Sequence, residues 1–112
     1  MMYITKVWGD NDEFEVRSYE SGRTIWYKDG KIHRDDGPAI KEKNGDEFWY
    51  SKGKIHRDDG PAIVLSEGSK FWMKEGLNHR EDGPAIEYAS GFKAYYENGD
   101  KTGWTCNSFF DS

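Results

Sequence analysis

The sequence predicts an all-β fold, in which stacked 23-residue β-hairpin units form an antiparallel meander and a single-sheet solenoid. Three observations support this prediction: one octapeptide returns at a fixed interval, glycine-containing turn dipeptides keep the same register, and short aromatic segments lie between the turns. A fixed interval of this length is typical of stacked supersecondary units.

Several columns of residues share the 23-residue interval. The octapeptide reads HRDDGPAI from His33 and from His56, and HREDGPAI from His79. Two glycine columns begin at Gly22 and Gly30 and keep the same spacing. The interval also separates the members of one aromatic column, which are Trp26, Trp49, Trp72 and Tyr95. So many columns in one register indicate a row of equivalent units.

Each unit is expected to be a β-hairpin with one bent arm. Dipeptides such as Asp29-Gly30 and Asn44-Gly45 favour tight hairpin turns, because glycine accepts positive φ. One arm is an aromatic strand, and its four copies read RTIWYK, DEFWYSK, KFWMK and FKAYYE. The other arm contains Asp-Asp-Gly-Pro or Glu-Asp-Gly-Pro. This segment predicts a kink or bulge, since proline lacks the N–H of a regular strand.

The chain of 112 residues suits a single β-repeat domain. Residues 23–99 hold three to four units. Segments 1–22 and 100–112 depart from the consensus, so we expect them to cap the open edges of the sheet. We also expect Ser108, Phe109 and Phe110 to fold back onto the last aromatic residues.

Composition and charge argue against several classes of protein. The chain is 35% hydrophobic and 33% charged, which does not suit a thick core, but its 5 Trp, 7 Tyr and 6 Phe argue against disorder. The net charge of -5 argues against ordinary nucleic-acid binding and against docking on anionic membranes. Cys106 is the one cysteine, which excludes an intrachain disulfide framework and fits a reducing, cytoplasmic compartment.

The recurring His-Arg-Asp string does not predict catalysis, metal binding or a cofactor. It matches the start of a protein-kinase catalytic loop, but the other kinase motifs are missing. Equivalent histidines are expected about 10 Å apart, two strand spacings, so they cannot share one zinc ion. Near-identical copies also give similar environments, whereas acid–base catalysis needs one singular pocket. We therefore predict that the protein is not an enzyme.

A mainly structural role is expected for this charged ladder. Its aspartates would hydrogen-bond backbone amides in the bend, and its arginines would pair with acidic residues of neighbouring units. Both faces of the aromatic strands are apolar, so part of the aromatic surface would remain available to a partner. The candidate partner-binding residues are Trp26, Trp49, Tyr50, Trp72, Tyr95, Arg34, Arg57 and Arg80.

The segment Trp49-Tyr50-x-x-Gly53-x-x-His56, with later glycines at 60 and 68, resembles the MORN repeat. Arg57 follows the histidine where the usual pattern has glycine. The likeness is closer to variant repeats of the form WYxxGxxHRxDGPA in uncharacterised phage and bacterial proteins, and it covers residues 23–99. The resemblance implies a scaffold that binds protein or lipid, without catalytic residues to carry over. Some bacterial MORN-like proteins resemble antitoxin or immunity components.

Three functions are compatible with these observations. The first is a protein-binding inhibitor or immunity factor, of a phage or a bacterium, which blocks a bacterial effector or defence protein by occlusion. The second is an acidic mimic that occupies the nucleic-acid channel of a partner; the interleaved arginines weaken its acidic character, and its regularly spaced acids are Asp35, Asp36, Asp58, Asp59, Glu81 and Asp82. The third is a MORN-like scaffold for protein or lipid. Exposed sheet edges would in addition allow an edge-to-edge homodimer.

Overall fold

The computed structural model describes residues 1–8 and 13–105, which form strands, turns and bends only. The two longest strands come first, β1 (Met2–Trp8) and β2 (Glu13–Tyr19). Thirteen shorter strands follow in the described part: β3 (Thr24–Lys28), β4 (Lys31–Ile32), β5 (Ile40–Lys41), β6 (Glu47–Phe48), β7 (Tyr50–Ser51), β8 (Lys54–Ile55), β9 (Ile63–Val64), β10 (Lys70–Phe71), β11 (Met73–Lys74), β12 (Leu77–Asn78), β13 (Ile86–Glu87), β14 (Lys93–Glu97) and β15 (Asp100–Thr105).

One long antiparallel sheet runs through the described residues. Its strand order is β1-β2-β3-β5-β6-β9-β10-β13-β14-β15, and β4 pairs with β3 at its side. The pairs β7–β8 and β11–β12 form two separate two-stranded ladders. The prediction of an all-β, antiparallel fold is therefore confirmed.

The predicted hairpin turns are present. Asp29 and Gly30 have φ values of 52° and 77°, and the equivalent pair Lys52 and Gly53 has 52° and 85°. Positive φ at both central residues is the conformation that continues the right-handed twist of the flanking strands. Asp29 and Lys52 adopt positive φ at the first central position of their turns, and a glycine occupies the second.

The aromatic strands of the two central units were expected to be continuous, and this expectation is wrong. The structure divides DEFWYSK at Trp49, between β6 and β7, and KFWMK at Trp72, between β10 and β11. The bent arm that follows uses both backbone groups of the tryptophan, as it also does at Trp26, but there β3 stays continuous because Val16 of β2 pairs with Trp26. The His56 N–H donates to the Trp49 carbonyl, while the Trp49 N–H donates to the Ala62 carbonyl. Residues 57–61 are therefore looped out opposite a single tryptophan, as the Asp-Gly-Pro sequence indicated.

The core is a thin layer rather than a globular interior. The best-buried residues in it are Ala39, Ala62 and Ala85, each 0% exposed, at the foot of each loop. No large side chain of the described part is fully buried, and the molecule measures 53 × 27 × 18 Å. This agrees with a composition too polar for a thick core.

The two ends of the sheet are strand hairpins. Segment 1–22 holds β1 and β2, and β15 pairs with β14 at the other end. Their role as caps remains a prediction. The expected fold-back of Ser108, Phe109 and Phe110 falls outside the described residues.

Candidate partner-binding surface

Each of the three loops places an arginine on the tryptophan that it faces. The guanidinium carbon of Arg57 lies 3.7 Å from the centroid of the Trp49 ring. The equivalent distances are 4.0 Å for Arg34 on Trp26 and 3.9 Å for Arg80 on Trp72. A cation over an indole face is attracted by the negative potential of the ring. One face of each tryptophan is therefore covered by its own loop.

The arginines pair within their own unit, which corrects the expectation that they reach acidic residues of neighbouring units. The Arg57 Nε donates to Asp59 at 3.0 Å, and its Nη1 donates to the Pro61 carbonyl at 3.1 Å. The other two loops repeat both contacts, on Asp36 and Pro38 and on Asp82 and Pro84. The aspartates accept these bonds from arginine, not from the backbone amides that the sequence suggested.

The glycine of Asp-Gly-Pro makes room for this arrangement. A Cβ at Gly60 would lie 3.0 Å from the guanidinium carbon of Arg57. The corresponding distances are 2.9 Å at Gly37 and 3.0 Å at Gly83. The guanidinium thus lies between an indole ring and a bare Cα, and a Cβ at the glycine would force it to shift by a few tenths of an ångström.

The histidines join each unit to the next. His33 is buried, and its Nδ1 accepts the Lys52 N–H at 2.8 Å. The same bond runs from Glu75 to His56 at 3.0 Å and from Asn98 to His79 at 2.9 Å. On the other side of the ring, His33 Nε2 lies 2.7 Å from Asp35. Because Nδ1 accepts, Nε2 carries the proton and donates to this carboxylate.

The carboxylates of the loops point into solvent, while the arginines lie beneath them. The side chains of Asp36, Asp59 and Asp82 are 86%, 83% and 89% exposed, whereas the exposure of the paired arginines is 23–27%. The histidine-linked carboxylates are 65–82% exposed. We call this row the acidic ridge; it consists of Asp35, Asp36, Asp58, Asp59, Glu81 and Asp82.

Two equivalent grooves lie between successive loops. The first, of about 320 Å³, is lined by Trp49, Tyr50 and residues of the loops at 34–35 and 56–59. The second, of about 430 Å³, is lined by Trp72, Lys74 and residues of the loops at 57–60 and 79–82. Carboxylates of the ridge therefore line both grooves, together with one tryptophan in each.

The structure brings most of the predicted site residues together. Trp26, Trp49 and Trp72 with their arginines form three equivalent stacks, and Tyr50 lies in the first groove. Tyr95 is different: Gly103, not an arginine, pairs with it across the β14–β15 ladder. The six ridge carboxylates are not among the partner-binding residues predicted from the sequence, where their regular spacing supports only the nucleic-acid-mimic alternative. What the sequence did not show is that both carboxylates of each loop are exposed while the arginine stacks on tryptophan.

A second row of contacts links the units at the Asn44-Gly45 turns and their equivalents. Asp46 accepts the Ser66 N–H at 2.7 Å, and the side-chain amide of Asn44 also bonds to it. These bonds, the Ser66 amide first, hold the pKa of Asp46 below its usual range. Ser69, which is 23 residues later, accepts the Ala89 N–H in the same way at 3.0 Å.

Within residues 1–8 and 13–105, no three His, Cys, Asp or Glu side chains gather closely enough to hold a metal ion. The same residues include no helix of the length and apolarity needed to cross a membrane. No protein-family model, no curated protein and no solved structure matches this chain.

Proposed function

We propose that this chain is a non-catalytic protein-binding module whose acidic ridge docks on a basic surface of a partner protein. The observation that carries the proposal is the separation of charge within each loop. Two carboxylates face solvent, and the one guanidinium beneath them is occupied by a tryptophan ring, an aspartate and a proline carbonyl. The outermost surface of the three loops is therefore a row of negative charges.

The spacing of the row favours an extended partner surface. Equivalent loops are two strands apart, about 10 Å, so three loops span about 20 Å. Complementary charge of this kind accelerates encounter and selects the partner's orientation. The grooves between the loops add aromatic lining residues, which supports a docking role for Trp49 and Trp72.

The architecture that we propose is the MORN-like single-sheet solenoid. It is supported by contacts that recur at offsets of 23 residues: the arginine stacks, the histidine bonds and the alanine column. Within that architecture, the acidic ridge suits an inhibitor or immunity factor that occludes the basic site of a bacterial effector or defence protein, in the cytoplasm of a bacterium.

The proposal is tested with a defined cationic probe, a lysine-rich peptide, by calorimetry at low and at physiological salt. The variant Asp36→Asn/Asp59→Asn/Asp82→Asn removes three ridge charges and keeps an oxygen acceptor for each arginine. The control Glu20→Gln/Glu97→Gln/Asp100→Asn removes three exposed charges elsewhere. We expect the ridge variant to bind at least tenfold more weakly than the control, a difference of about 1.4 kcal/mol. Equal weakening by the two variants would show that only net charge matters and would refute the proposal.

A second candidate function, nucleic-acid mimicry, is favoured by the same exposure of carboxylates over half-buried arginines. It makes a different prediction about partners. Proteins captured from a bacterial lysate would be released by duplex DNA, with steep salt dependence. Captured proteins that DNA does not release would favour the inhibitor over the mimic.

A further inference from the structure

The first strand of the sheet has an open edge with an unusual composition. β1 pairs with β2 on one side, and no described strand lies on its other side. Its exposed residues are largely apolar: Met2 is 39% exposed, Tyr3 61% and Ile4 52%. Proteins usually protect a long edge strand with charges, proline, glycine or a bulge, because its free N–H and C=O groups pair readily with another strand.

The register of β1 shows which backbone groups face outward. The Glu20 N–H donates to the Met1 carbonyl, and antiparallel ladders alternate between bonded and non-bonded pairs. The pairs Tyr3↔Ser18, Thr5↔Val16 and Val7↔Phe14 are therefore the bonded ones. The N–H and C=O groups of the intervening residues, Met2, Ile4 and Lys6, point away from the sheet.

The opposite edge of the sheet carries the protection that β1 lacks. β15 contains Asp100, Lys101 and Gly103, and its ladder with β14 shifts register between Tyr95 and Tyr96. On β1 the one charged residue is Lys6, and its ammonium group lies 3.9 Å from both Glu13 and Glu15. Its charge is thus already compensated within its own sheet and does not repel a second β1.

We infer that β1 pairs with β1 of a second copy of this chain, in an antiparallel, two-fold symmetric dimer. The register that pairs the whole strand places Thr5 opposite Thr5 of the second copy, Ile4 opposite Lys6, and Tyr3 opposite Val7. Tyr3, Thr5 and Val7 share a face with the buried Phe14 and Val16. The thin core would therefore continue across the dimer axis.

Two-fold pairing of β1 closes the assembly, because each copy uses its unprotected edge once. Pairing of β1 with β15 would instead extend without limit, and the charges, glycine and register shift of β15 oppose it. None of the acidic-ridge residues belongs to β1, so the inference is independent of the proposed function.

Cross-linking tests this register directly, in a Cys106→Ser background. Thr5 and its symmetry mate form a non-hydrogen-bonded pair, whose Cα atoms lie about 4.5 Å apart and are within disulfide reach. We expect Thr5→Cys to yield a disulfide-linked dimer under mild oxidation. Lys6→Cys is the matched control, because its symmetry mate is two residues out of register.

Sedimentation equilibrium gives the second measurement. The unmodified chain should show a concentration-dependent doubling of mass, and Ile4→Pro should abolish it, because proline removes an outward N–H and leaves the bonds to β2 in place. Ile4→Ala, which retains that N–H, should still dimerise. A chain that stays monomeric at about 1 mM, or Lys6→Cys cross-linking as efficiently as Thr5→Cys, would overturn the inference.

Discussion

Replacing Arg57 by lysine tests whether the arginine–tryptophan stack contributes to the free energy of unfolding. Lysine keeps the positive charge but loses the planar face on Trp49 and the fixed pair of donors to Asp59 and Pro61. A partly desolvated cation–π contact contributes about 1–2 kcal/mol, and each neutral acceptor bond about 0.5–1.5 kcal/mol. Because Asp59 is exposed, its ion pair adds little.

We therefore expect Arg57→Lys to lower the free energy of unfolding by about 1–2 kcal/mol, or the melting temperature by roughly 4–8 °C in a chain of this size. Thermal and urea unfolding, followed by near-ultraviolet circular dichroism, measure the change. Lys54→Ala, at an exposed position in β8, is the control and should stay within about 0.5 kcal/mol of the parent chain.

Gly60 supplies the matching half of a double-mutant cycle. Gly60→Ala places a Cβ 3.0 Å from the Arg57 guanidinium carbon, so the guanidinium must shift by a few tenths of an ångström and its stack on Trp49 should weaken. In an Arg57→Ala background the same substitution should cost much less, with a coupling energy of about 1 kcal/mol. Additive effects within about 0.3 kcal/mol, or an unchanged melting temperature for Arg57→Lys, would refute the reasoning.

Three further predictions concern the contacts between units. Ala62→Leu should cost about 1–3 kcal/mol by overpacking a fully buried site, whereas the exposed Ala89→Leu should not; urea unfolding compares them. His33→Phe should accelerate hydrogen exchange at the Lys52 amide, which loses its acceptor, and leave the Asn98 amide unchanged. Asp46→Asn should destabilise the chain above about pH 4, where the depressed pKa of Asp46 favours folding, and the difference should shrink as the pH falls through that pKa in acid unfolding.

The regular features of the fold could be predicted because they are local. Glycine spacing and turn dipeptides place the hairpins, and the Asp-Gly-Pro sequence predicts a bulge that the structure contains at residues 57–61. The division of the central aromatic strands at Trp49 and Trp72 could not be predicted in the same way. It depends on the neighbouring strand: Trp26 makes the equivalent backbone bonds but also pairs with Val16 of β2, whereas no described strand residue pairs with Trp49.

The surface was only partly predictable, for a related reason. The sequence shows that Arg57, Asp58 and Asp59 are adjacent, but adjacency does not show which side chain turns inward. In the structure Arg57 turns back over Trp49, eight residues earlier in the chain, and Asp59 turns out. The charge of the exposed surface depends on which side chain turns inward. In the sequence the interleaved arginines offset the charge of the acidic residues, but in the structure they lie beneath the exposed carboxylates.

The most direct test of the account is to map where a lysine-rich peptide binds, by nuclear magnetic resonance on the isotopically labelled chain. If arginines stacked on tryptophans leave the carboxylates to face the partner, the largest amide shifts should fall in the three loops, at residues 34–37, 57–60 and 80–83. These shifts should diminish as salt is added. Amide shifts concentrated at the hairpin turns or at β15, with no shifts in the three loops, would contradict the proposal that the acidic ridge binds the partner.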